Sequence, residues 1–81
     1  MSRSYGYFLE QSPAGELRGL GRVVQDDGEG TWAERYVGQG AWEKNHFMWL
    51  LYLDQGDPAF GDWIEEADVP EVMRRLDAGT G

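Results

Sequence analysis

His46 is the single histidine in this 81-residue chain and the one side chain whose ordinary pKa lies near neutrality. It follows Lys44 and Asn45 at the start of an apolar run. To act as a general base it would need an orienting carboxylate and a concave site, and a lone imidazole rules out metal centres built on paired histidines. Ser2, Ser4, Ser12, Thr31 and Thr80 are nucleophiles by type alone, because none lies in a strand-to-helix elbow. No catalytic residue is assigned.

Two other clusters have a chemistry to weigh. Asp54, Asp57 and Asp62 in DQGDPAFGD offer carboxylate oxygens to a hard cation, but their spacing is not the alternating one of a calcium loop. Asp, Gly and Pro58 have an ordinary use there as turn residues, and no metal is expected. Arg18, Gly19, Gly21 and Arg22 in RGLGR could cradle a phosphate, yet VVQDDGEG follows where a nucleotide-binding loop needs a helix. The segment is better explained as a strand with Arg18 and Arg22 on the face of Leu20 and Val24, paired with sheet carboxylates such as Glu10 or Glu34. No cofactor is implied.

What remains is surface. Trp32, Trp42 and Trp63 adjoin glycines or polar residues, unlike Trp49 inside the run, and half-buried tryptophans of this kind serve as anchors at interfaces. From Asp54 onward eight acids face Arg74 and Arg75 alone, so most of the net charge of −8 lies in the C-terminal third. Such a balance argues against direct binding of nucleic acid or of an anionic membrane, both of which select basic patches. The residues expected to meet a partner are Asp62, Trp63, Glu65, Glu66, Trp32 and Trp42. The function these features favour is a small acidic, non-enzymatic protein–protein interaction module whose partner is basic. One alternative is an obligate homodimer that buries tryptophan faces. Another is a small enzyme or ligand binder using His46 in a pocket between sheet and helix.

The elements that would carry these residues form one domain, 1–81. Tyr5–Gln11 alternates, with Tyr5, Tyr7 and Leu9 on one side and Phe8 on the other, and Leu17–Gln25 and Thr31–Val37 follow across SPAG and DDGEG turns. Gly19, Gly21, Gly38 and Gly40 predict bends or close backbone approach, hence a curved sheet. Residues 41–54 fit either a helix, with Trp42, His46, Trp49 and Leu53 on one face, or a strand from His46. The strand is preferred, after a polar turn at Glu43–Asn45, because FMWLLYL (Phe47–Leu53) is short and dense in aromatics. That run is expected in the core. Asp68-Val69-Pro70-Glu71 has capping-box spacing, and Val69, Val72, Met73 and Leu76 make an apolar stripe, predicting a helix over 69–78. The fold class expected is α+β: a small curved antiparallel sheet of about four strands with one short C-terminal helix packed on it. With no cysteine, no apolar leader in Met1–Glu10 and no apolar run near 18 residues, a cytoplasmic location is expected.

Overall fold

The computed structural model describes residues 2–79. Five strands, β1 (Arg3–Gln11), β2 (Leu17–Asp26), β3 (Gly30–Gly38), β4 (Ala41–Lys44) and β5 (Phe60–Ile64), form one open antiparallel sheet in the order β4-β3-β2-β1-β5. Helix α1 (His46–Leu53) joins β4 to β5, and a single 3-10 turn, Glu66–Asp68, leads into α2 (Val69–Gly79). This is the expected α+β fold with its antiparallel sheet and C-terminal helix; β4 and β5 are strands beyond those expected, and a second helix, α1, stands where the fourth strand was expected.

Alternation along the strands divides the core in two. Tyr7, Leu20 and Tyr36 point to one face, where Val69 and Val72 of α2 bury against them with Met73 and Leu76 at the margin, which is the stripe the sequence predicts. Phe8, Val23 and Ala33 point to the other, beneath Met48 and Leu51 of α1. The sheet is thus sandwiched between two helices. Gly21 shows why one central position carries no side chain: a Cβ there would sit 2.7 Å from Phe8 Cζ and 2.9 Å from Met48 Sδ, so both side chains pack on bare backbone.

Residues 46–53 are a helix, which corrects the preferred strand. The sheet's last ladder bond on this side is Asn45 N–H to the Ala33 carbonyl, 3.1 Å, after which Asn45 changes role. With extended backbone at φ −144°, its side-chain oxygen accepts from Met48 N at 2.9 Å and caps the first turn. The polar turn expected at Glu43–Asn45 lies earlier, at Gly38-Gln39-Gly40, where φ values of 101°, 52° and 80° reverse the chain and release 41–44 to form β4. At the far end, Tyr36 Oη donates to Asp77 (2.9 and 3.0 Å) and accepts from Gly40 N (3.0 Å), tying α2 to this turn. Asp68 belongs to the 3-10 turn that runs directly into α2. Among the described residues no helix is long and apolar enough to cross a membrane.

Candidate functional site

Trp32 on β3 and Trp42 on β4 share the sheet face that α2 covers only in part. Trp42 packs on Tyr7 and Tyr36, with ring centroids 6.0 and 5.5 Å apart. The Arg22 guanidinium lies 4.2 Å from the Trp42 ring centre and 4.7 Å from that of Tyr5. Its Nε donates to Glu34 (2.7 Å), whose second oxygen accepts from Trp32 Nε1 (2.8 Å). Arg3 and Lys44 both approach the Trp32 ring, at 5.2 and 4.9 Å. The result is a cation–π ladder across four strands that closes the open part of the face with amphipathic side chains. Burial pushes the Glu34 carboxyl up, but its bonds from Trp32 and Arg22 together outweigh this and hold it below the ordinary value. The Arg22–Glu34 pair was expected; Glu10 pairs instead with Arg35, Nη1 to Oε1 2.8 Å, in the space left by the missing side chain of Gly19.

Trp63 lies at the other end of the sheet and on its other face. It sits on β5 against Phe8, Phe60 and Tyr52, with Nε1 donating to Gln55 at 3.0 Å. Asp62 accepts from the Trp63 amide, while Glu65 and Glu66 are exposed in the link to α2. Four strand spacings, about 19 Å, separate β4 from β5. The six residues expected to meet a partner therefore divide into an internally paired ladder (Trp32, Trp42) and an acidic edge (Asp62, Trp63, Glu65, Glu66).

Asp57 closes a turn, its side chain accepting from Ala59 N at 2.8 Å, and among the described residues no group of three or more His, Asp or Glu is arranged to hold a metal. His46 is exposed at the first position of α1. Two of the cavities beside α2, one of about 190 Å³ lined by residues including Leu9, Glu10, Leu17, Val72 and Arg75 and one of about 490 Å³ lined by residues including Glu16, Arg18, Arg75 and Leu76, have no contribution from His46. Thr80 lies outside the described residues.

The surface that sequence reasoning missed is on the apolar run itself. Of the eight residues of α1 only Met48 and Leu51 are buried, while Phe47, Leu50 and Leu53 are 43%, 48% and 61% exposed. Spaced by three, these form one stripe on the side turned away from the sheet. No acid lies in the first turn of α1 and no base in its last. The available signal was an apolar run with no polar side: a helix lying on one sheet face can bury only part of its circumference. Compared with known proteins, the chain matches no family model, no curated protein and no solved structure.

Proposed function

We propose that this chain is a non-enzymatic protein–protein interaction module whose contact surface is the outward stripe of α1. One observation carries the reading: three large apolar side chains stand exposed side by side on a helix already seated on the core through Met48 and Leu51. Contiguous apolar surface of this kind marks association sites, and anchors at spacing three are how a helix engages another protein. On a chain of charge −8, it is also where a partner can approach without desolvating carboxylates. The absence of cysteine fits action in a reducing compartment such as the cytoplasm.

A second reading places a basic partner on the β5 edge, where Trp63, 39% exposed, adjoins Asp62, Glu65 and Glu66. Affinity capture with three baits separates the two: wild type, Leu50→Glu with Leu53→Glu, and Asp62→Lys with Glu65→Lys and Glu66→Lys. The α1 reading expects the bound protein to be lost from the second bait and kept by the third. The converse result moves the contact to the acidic edge, and retention by both variants removes both readings.

A further inference from the structure

We infer that the occupant of the α1 stripe is a second copy of this chain, docked antiparallel through α1 about a two-fold axis at Leu50. The inference rests on the reading of α1 as the contact surface and names its partner. In a two-fold interface residue i meets residue j while j meets i, so the contributing residues must be arranged symmetrically about the axis. Phe47, Leu50 and Leu53 meet this condition, since Leu50 stands midway between the other two. Antiparallel docking sets Leu50 on the copy's Leu50 and Phe47 on the copy's Leu53, twice over.

The flanking polar residues obey the same symmetry. His46 precedes Leu50 by the interval at which Asp54 follows it, and both are exposed, so each His46 falls opposite the copy's Asp54. Asp54 is the C-cap of α1, and no base in the last turn offsets it. There it stands at the negative end of its own helix dipole. In the antiparallel pair it comes instead beside the positive end of the copy's helix. A parallel pair would set Asp54 against Asp54.

Charge selects this face over others for self-association. Two chains of −8 repel least where their contact is poor in acids: His46–Leu53 contains none, and Asp54, which follows, is set opposite the copy's His46. The three stripe residues expose on the order of 300 Å², against about 800 Å² per partner in a standard stable interface. The half-buried Trp49 and Tyr52 adjoin the stripe without closing that difference. The dimer is therefore of the small, weak and reversible class rather than an obligate one.

Sedimentation velocity over a dilution series, combined with cysteine cross-linking, tests the inference. The chain has no cysteine of its own, so every disulfide reports an introduced pair. Under diamide, Leu50→Cys is expected to yield a covalent dimer, because the axis brings the two positions within the about 4.4–6.8 Å Cα separation that a disulfide needs. Phe47→Cys and Leu53→Cys are expected to stay monomeric separately and to cross-link when mixed. Self-linking of all three variants overturns the antiparallel register. A monomer at every concentration, with no Leu50→Cys dimer, overturns the inference. If that monomer still loses its captured protein through Leu50→Glu and Leu53→Glu, the contact-surface reading survives alone; if it loses nothing, both fall. Circular dichroism of each variant separates lost association from lost fold, and Leu50→Ser gives a milder second substitution at the axis.

Discussion

The two helices cover opposite faces of one sheet with opposite kinds of outer surface. α2 keeps its apolar residues inward, burying Val69 and Val72, and turns Glu71, Arg74 and Arg75 outward, with Glu71 and Arg74 ion-paired. α1 is apolar on nearly every side and buries only Met48 and Leu51. Both are seated, but only α2 has a water-facing side made of charge. A helix that is apolar all round is ordinarily enclosed, and α1 is enclosed on one side only. The difference separates two demands on a helix: an apolar stripe fixes its place, and the residues left over decide whether its outside is a finished surface.

Truncations beneath each helix test that contrast most strongly. Met48→Ala should cost about 3 kcal/mol in urea unfolding of dilute protein. Val72→Ala should cost about 1.5 kcal/mol. A Met48→Ala effect no larger than a surface substitution would mean that α1 is not anchored as described. Tyr36→Phe, which removes the hydroxyl between Asp77 and Gly40, should cost about 1–2 kcal/mol and speed amide exchange in the last turn of α2 while leaving α1 unchanged. Equal acceleration in both helices would break the assignment of that lock to α2.

Acid should act on the α2 side of the sheet and the neighbouring β2–β3 turn. Hydrogen bonds from Arg3 hold Asp26 low, those from Ser2 hold Asp27 low, and Glu34 is low despite its burial. These carboxyls bind protons more weakly folded than unfolded. Their contribution is complete above the ordinary carboxylate pKa of about 4 and is lost as pH falls through the lower folded values. Denaturation followed from pH 6 to 2 should show this loss, and Glu34→Gln should flatten it; an unchanged profile would count against the ladder's role. The smallest effect belongs to Leu53→Ser, which should alter monomer stability by less than about 0.5 kcal/mol. A loss several times larger would place Leu53 inside the core and remove the contrast between the helices.

Alternation made β1, β2 and β3 legible in the sequence, and the stripe from Val69 to Leu76 did the same for α2. α1 was not, since an apolar run without a polar side fits a two-faced strand equally well. What decided it was Asn45 capping Met48 after the Gly38–Gly40 reversal, a relation between separate segments. β5 was hidden for a related reason: five residues interrupted by Gly61 carry little pattern, and they become a strand through the free edge of β1. Trp32 and Trp42 are half-buried as expected, but Trp63 is exposed and Trp49, expected in the core, is half-buried too; how far apart the first three lie depends on strand order. The α1 stripe was concealed by the expectation that the whole run lies in the core.

Strand order also has a consequence in time. β1 through β4 pair with sequence neighbours, whereas the second edge of β1 is closed only by β5, after residues 12 to 59 have intervened. During synthesis at about 5–20 residues per second, the hydrogen-bonding edge beside Tyr7, Phe8 and Leu9 therefore stays open for several seconds. In that interval it can template pairing with another nascent chain. Gly61 governs the closing step, because a Cβ there would meet Leu9 Cβ at 2.9 Å and its carbonyl oxygen at 3.0 Å. The smallest residue in β5 is thus what lets a late strand seal the earliest one.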